Sequence, residues 1–279
     1  MQRRRFIKNF VAAVGSSWML PMGVQGAGPS QAANDFLDPG QAKLMQEKIA
    51  DFNRDFSDDI MLPAEKMAVL RTLVDKLGQV QSLIGHGRFN ILSFDDLLKF
   101  SANSAQIGAM TQDELAFVEA TFFFEAKKYG FYGEKVTKNL TMKIVEADTI
   151  KVKGSGHFVF KGASYELYQK LIGDIGGDIV LTSGIRSLVK QMQLYLQKTL
   201  VCNGNLSRAS RSLAPPGYSF HGIGDFDVGK NGWGYRNFTD QFAQSDVFKK
   251  LTDLGYIDIR YTKTNSFGVR FEPWHIKVC

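Results

Sequence analysis

The chain changes its pattern near residue 150, and that change limits the folds open to it. From residue 41 to about residue 129, apolar side chains recur at helical spacing. Leu44, Ile49, Phe52 and Phe56 form one series, and Met67, Leu70, Leu73, Val74 and Leu77 another. Thr111-Gln112-Asp113-Glu114 places a capping box ahead of the run at 115–124, and Ser93-Phe94-Asp95-Asp96 predicts another helix start. Beyond residue 150 the apolar runs shorten and fall between glycines, which predicts strands at 150–153, 157–160 and 179–182. Further short strands are expected at 223–228, 256–261, 269–271 and 275–278, with helices at 163–172, 187–200 and 240–254. Strands and helices do not alternate regularly, so the expected class is α+β rather than a doubly wound sheet. The expected division is a helical lobe at 41–149 followed by a second domain at 150–279. The lobe's aromatic residues read as packing, and nothing in it demands chemistry.

The chemistry concentrates in the second part. Of the four histidines, one falls in Ser219-Phe220-His221-Gly222-Ile223-Gly224-Asp225-Phe226-Asp227 and another in Glu272-Pro273-Trp274-His275. Two histidines and an aspartate, with a glutamate three residues before the second histidine, are the parts of a catalytic zinc site. Three protein ligands leave a fourth position for water, and a nearby carboxylate can take that water's proton. His221 and His275 are the imidazole ligands of this reading, Asp227 or Asp225 is the carboxylate ligand, and Glu272 is the general base. Trp274 is expected to pack beside the site and help exclude solvent. His86 and His157 read as ordinary packed or surface histidines, although His157 follows Gly154-Ser155-Gly156 and could line a cleft.

The net charge of +6 is partly an address label. Residues 1–26 hold Arg3, Arg4, Arg5 and Lys8 and no acid, so without them 30 basic side chains face 28 acidic ones. That balance, with no basic stripe, argues against a nucleic-acid partner. Arg3-Arg4-Arg5-Phe6-Ile7-Lys8 resembles the twin-arginine export signal, and no charge follows until Asp35. Gly15, Ser16, Ser17, Pro21 and Gly23 interrupt this stretch, which suits a signal at 1–26 better than a membrane span. A linker at 27–40 follows. Such a signal is an address and not an anchor, so the expected location is periplasmic or secreted, with no stable membrane insertion. In an oxidising compartment Cys202 and Cys279 could pair as a disulfide or remain as two thiols, and Cys279 is a less favoured zinc-ligand candidate. The long polar segment 202–219 leads into the first motif and is expected to shape the site.

The two motifs resemble those of the LAS-type zinc peptidases, in particular the VanY-type D-alanyl-D-alanine carboxypeptidases. Ser219, His221, Gly224, Asp227, Glu272, Pro273, Trp274 and His275 carry the likeness. Ser183-Gly184-Ile185-Arg186-Ser187, followed by Gln191 and Leu194-Tyr195, is similar to the family's strand-to-helix turn. The resemblance covers about residues 150–279. It implies a LAS-type (hedgehog/DD-peptidase-like) small antiparallel sheet flanked by helices, one Zn2+ ion, and peptidoglycan stem peptides as substrate. It further implies that Arg186 holds the substrate or stabilises its oxyanion and that Ser219 hydrogen-bonds the substrate's terminal carboxylate. It favours Asp227 over Asp225, because Val228-Gly229 follow it much as an apolar and a small residue follow the family's ligand. Asp227 nevertheless lies six residues after His221, where the family places seven. The implied reaction is removal of a C-terminal D-alanine. A cross-link endopeptidase and a non-catalytic cell-wall peptide-binding module are the alternatives.

Overall fold

Side-chain caps set where several helices begin. In the computed structural model, which describes residues 38–256 and 258–279, Asp38 caps helix α1 (Pro39–Ala50) and closes a capping box with Gln41. The export signal at 1–26 and most of the 27–40 linker lie outside the described residues. Helix α2 (Met67–Ile84) buries Leu70, Leu73, Leu77 and Val80 along one face, and it ends at Gly85, whose φ of 83° few other residues adopt. The short helix α3 (His86–Asn90) follows. Ser93 caps α4 (Phe94–Asn103), and the predicted Thr111–Glu114 box caps α5 (Gln112–Phe123). Glu114 is buried and also accepts a 2.7 Å bond from Lys76, so one carboxylate both caps a helix and satisfies a cation.

Past residue 148 the strands appear, shorter than expected. Strands β1 (Thr149–Lys151) and β2 (Phe158–Phe160) pair as an antiparallel hairpin. Helix α6 (Ala163–Ile175) is followed by β3 (Ile179–Ser183), helix α7 (Leu188–Val201) and a short helix α8 (Leu206–Ser210). Strand β4 (Phe226–Lys230), helix α9 (Asp246–Asp253) and the two-residue strand β5 (His275–Ile276) complete the order. The second sheet runs β3–β4–β5, antiparallel throughout. The architecture is therefore α+β: helices with two small antiparallel sheets. Among the described residues no helix is long and apolar enough to cross a membrane.

Four expectations need correction. No strand forms at 269–271, and the 256–261 segment contributes only a single bridge, Ile259 to Ile276. Strand β5 is two residues long and offers no longer ladder to pair with. The loop at 202–219 contains α8, capped by Asn205. A single helix over 240–254 gives way to a 3-10 turn (Asp240–Gln244) and α9, because Ser245 is extended and caps the second piece.

Among the described residues there are two main cores, and the helical one takes in side chains beyond residue 150. One joins α2, α4 and α5 to Leu188, Val189, Met192, Tyr195 and Leu196 of α7 and to Leu206 and Ala209 of α8. The other packs α6 and α9 on the β3–β4–β5 sheet through Leu171, Phe226, Val228, Leu251 and Ile276. Helix α7 thus belongs to the helical core on one face and delivers the Ser183–Ser187 turn to the sheet at its start.

Candidate metal and catalytic site

Strand register assembles the site. Asp227 of β4 pairs with Ser183 of β3 on one side and with His275 of β5 on the other. Facing positions on neighbouring strands project to the same side of a sheet, so Ser183 and His275, 44 and 48 positions from Asp227 along the chain, share its face, and His275 Nδ1 lies 3.2 Å from its carboxylate. His221 arrives on the 3-10 turn Phe220–Gly222, whose carbonyl at His221 receives the Arg186 amide at 3.3 Å. The Ser183–Ser187 turn also needs a bare backbone at Gly184, where a Cβ would fall 2.0 Å from the Phe158 carbonyl oxygen. Arg186 and Ser187 follow, and Ser187 caps α7.

His221, Asp227 and His275 are buried, and one ligand atom from each lies within 4.8 Å of the others. Asp227 Oδ1 sits 3.2 Å from His221 Nε2 and 3.2 Å from His275 Nδ1. His221 Nε2 and Asp227 Oδ1 are buried with no aligned hydrogen-bond partner. Leaving such atoms unsatisfied costs free energy, and an ion coordinated by them removes the deficit. The opposite atoms of the same rings are occupied. His221 Nδ1 is 2.8 Å from the Gly184 carbonyl, and His275 Nε2 is 2.9 Å from Asp225. Such outer bonds fix ring orientation and leave the inner nitrogens free as ligands. The donor set, two imidazoles and a carboxylate, fits zinc.

Asp225, the rival ligand candidate, does different work. Its carboxylate accepts from Arg260 Nε at 2.7 Å and from the Val278 amide at 2.9 Å in addition to His275. It stands behind the histidine, outside the ligand cluster. Arg260 in turn stacks over the Phe220 ring beside His221. Burial opposes charge on Asp225, but His275 and Arg260 outweigh it and hold the carboxyl well below its ordinary range. Burial likewise opposes charge on Asp227, and His221 and Arg186 keep it ionised. For His275 the same competition ends at about 9: burial lowers the value, and Asp225 and Asp227 raise it further.

A cleft with about 80 Å³ of free volume opens over this cluster, and Arg186, Ser219, Glu272 and Trp274 all line it. Burial pushes Glu272 above the usual carboxylate range, against the pull of Arg270. A carboxyl shifted upward is better placed to exchange protons near neutral pH. Trp274 is buried, packs edge-on to Phe238 at 6.1 Å, and lies 4.9 Å from the Arg270 guanidinium. Arg186 is less free than the sequence implied: Nη2 bonds Asp227 Oδ2 at 2.5 Å and Nε bonds Ser183 at 2.9 Å. It therefore secures the carboxylate while facing the cleft.

Sequence reading missed Tyr261 and Arg270 in the cleft wall and Arg260 behind Asp225, and it named Asp225 only as a rival ligand. None of Tyr261, Arg260 and Arg270 sits in a spacing pattern that announces a role. Of the two alternatives for Cys202 and Cys279, a disulfide or two thiols, the structure has two free thiols. Cys202 is buried at the end of α7, where Lys198, Arg208 and Asp55 act on it, whereas the Cys279 thiol lies 3.5 Å from Asp225. Cys279 is not part of the metal-ligand cluster either. His86 and His157 lie edge-to-face at 5.0 Å on either side of Asn90, and neither joins the ligand cluster, although His157 is close enough for Arg186, Asp227 and His221 to act on its ring.

A buried two-histidine, one-aspartate donor set beneath a cleft that also holds a glutamate and an arginine is a site able to carry one divalent metal and hydrolytic chemistry. Residues 163–278 match the family model described as VanY, D-alanyl-D-alanine carboxypeptidase. Among solved structures, the chain is similar to the LdcB LD-carboxypeptidase, in a structure concerned with peptidoglycan recognition. That match has 22% identity over 46% of this chain, with a TM-score of 0.39, and the chain spans 63% of the LdcB chain's length. It is also similar to a variant of the vancomycin-resistance D,D-pentapeptidase VanY in complex with Zn(II), at 20% identity over 47% of this chain and 77% of that one, TM-score 0.37. VanYB in complex with D-alanine-D-alanine matches at 23% identity over 47% and 77%, TM-score 0.38. Comparison with curated proteins finds no match.

Proposed function

We propose that the protein is an exported, zinc-dependent peptidase that removes a C-terminal D-alanine from peptidoglycan stem peptides. The observation that carries this reading is the pair of buried, unpartnered atoms His221 Nε2 and Asp227 Oδ1, directed with His275 at one point beneath the cleft. His221, Asp227 and His275 would hold one zinc ion. When bound, zinc supplies Lewis acidity that makes water a nucleophile near neutral pH and polarises a peptide carbonyl. Glu272 takes the proton of the attacking water at its carboxylate as the new carbon–oxygen bond forms. It returns that proton to the leaving amine as the carbon–nitrogen bond breaks. Arg186, anchored on Asp227 and Ser183, brings positive charge to the side of the cleft where negative charge develops on the carbonyl oxygen. Ser219 offers a hydroxyl to the terminal carboxylate, and Trp274 keeps solvent from the floor of the cleft. Export rests on the Arg3–Lys8 signal and places the enzyme with its substrate.

The test combines metal analysis with digestion of defined muropeptides. The expected result is one zinc per chain and release of a single terminal alanine. Glu272→Ala should keep its zinc and lose about 10²–10⁴-fold in rate. Separation of two cross-linked stems would identify the endopeptidase instead. Full activity in zinc-loaded Glu272→Ala would sink the mechanism.

A further inference from the structure

The two histidines outside the ligand cluster form a second pair with nearly the geometry of the first. His221 and His275 cross at 84° with ring centres 4.9 Å apart; His86 and His157 cross at 87° with centres 5.0 Å apart. In the first pair, Asp227 Oδ1 stands 3.2 Å from a nitrogen of each ring. In the second, the Asn90 carboxamide takes that place, with Nδ2 3.4 Å from His86 Nε2 and 3.2 Å from His157 Nδ1. We propose that His86, Asn90 and His157 form a second binding site, for one divalent transition-metal ion of the zinc, copper or nickel type. The site lies outside the catalytic reading above and does not depend on it.

Three observations support it. The first is spacing. Ligand atoms about 2.0–2.1 Å from a tetrahedral ion lie about 3.3 Å from one another, which matches both separations at Asn90. The second is an orphaned oxygen. Asn90 is 2% exposed, and its Oδ1 is buried without a partner. Half a turn about the last side-chain bond exchanges Oδ1 with Nδ2 and sets the oxygen between the two rings, where it can coordinate an ion. The third is protonation. Burial holds His157 down at about 4, and burial with the Lys190 charge lowers His86, so both rings are uncharged near pH 7, the form that binds metal. Two imidazoles and an amide oxygen suit zinc, copper and nickel better than magnesium or calcium. The frame is held on both sides. His86 and Asn90 share one face of α3, four residues apart, and a Cβ on Gly87 would fall 2.9 Å from the Gly156 carbonyl oxygen, so α3 lies against the turn before His157. The Asn90 carbonyl accepts from the Ser187 amide and the Phe158 carbonyl from the Ile185 amide, each at 2.7 Å. An ion here therefore clasps α3 to the β1–β2 hairpin across the turn that carries Arg186. His86 is exposed, which gives the ion a way in. The donor set carries no charge, and Lys190 and Arg186 act on the rings as cations, so this site fills after His221, Asp227 and His275.

The experiment counts zinc on the full chain after dialysis against free zinc ions in excess, for the native sequence, His86→Ala, His221→Ala and Asn90→Asp. With zinc supplied at one ion per chain, the first cluster holds it; in excess, the second site fills as well. His86→Ala should then hold one ion fewer than the native chain, while His221→Ala keeps the ion at the second site. Asn90→Asp sets a charged oxygen in place of the carboxamide and should tighten the second ion by about tenfold or more. Circular dichroism should be unchanged in every variant. Equal zinc content in the native and His86→Ala chains would overturn the inference, as would a second ion bound no more tightly by Asn90→Asp. An ion lost from His86→Ala but none from His221→Ala would leave this site standing and remove the catalytic zinc reading alone.

Discussion

Asp59 and Asp227 are both buried carboxylates gripped by an arginine, one in each half of the molecule, and they differ in what the grip leaves over. Asp59 receives Arg211 through both oxygens, at 2.8 and 3.0 Å, together with Asn205 and the Phe56 amide. Arg211 spends its remaining donors on the carbonyls of Phe52 and Arg54. Every strong donor and acceptor is matched, and the result ties the segment after α1 to the end of α8. Asp227 receives Arg186 on one oxygen only; the other points at two histidine nitrogens with no aligned donor. A complete pair holds structure together, whereas an incomplete one of similar composition leaves coordination positions for a ligand.

This contrast can be broken by experiment. Arg211→Ala takes both guanidinium bonds from Asp59 and leaves its buried charge only Asn205, the Phe56 amide and Lys48 at 3.7 Å, so unfolding in urea should show a loss of about 3 kcal/mol, with zinc still bound in the native protein. Loss of zinc with unchanged stability would reverse the two roles. Asp225→Asn removes the carboxylate behind His275 and should weaken zinc about 10–100-fold in competition with a chelator. An unchanged affinity would mean that Asp225 only anchors Arg260 and the 278–279 backbone. Acid should probe the complete pair last and most gently. Burial opposes ionisation of Asp59, but the bonds from Arg211, Asn205 and Phe56 prevail and bring its pKa from 3.8 to about 2. A depressed folded value means that the stabilisation is present above the unfolded pKa and lost as pH falls through the folded one. Roughly 2 kcal/mol should therefore disappear between about pH 4 and pH 2. Asp59→Asn should flatten that part of the pH–stability curve; an unaltered curve would show that the pair contributes nothing there.

What could be read from the sequence follows from how local each signal is. Thr111 and Glu114 lie three residues apart and announce the start of α5, and the structure has that box. His221, Glu272 and His275 sit in compact motifs, and residue chemistry alone grouped them with an aspartate; choosing Asp227 over Asp225 took the family resemblance, and all four residues line one cleft. Asp225 is equally close to the motif, yet an acid beside Gly224 looks like a turn residue. Only the arrival of Arg260 and His275 from elsewhere defines its task. The Asp59–Arg211 pair spans 152 residues and leaves no periodic trace. The packing of α7 into the helical core was not legible for a related reason. Periodicity identifies α7 as a helix but does not say that its buried side chains join α2 and α5. Strands at 256–261 and 269–271 were overread because short apolar runs satisfy a strand pattern without a partner to pair with.

The two residues of β5 carry unequal burdens side by side: His275 serves the metal cluster, and Ile276, fully buried, seals the sheet's core. Parity along a strand decides which does which. One residue inserted between Glu272 and His275 with the pairing kept would send an imidazole into hydrocarbon and an isoleucine toward the cleft, so chemistry and folding would fail together. Insertions at this point of the chain have no neutral outcome. By the same logic, the geometry of the His221, Asp227 and His275 cluster is inherited with correct folding and cannot be lost by a slip in strand register while the sheet survives.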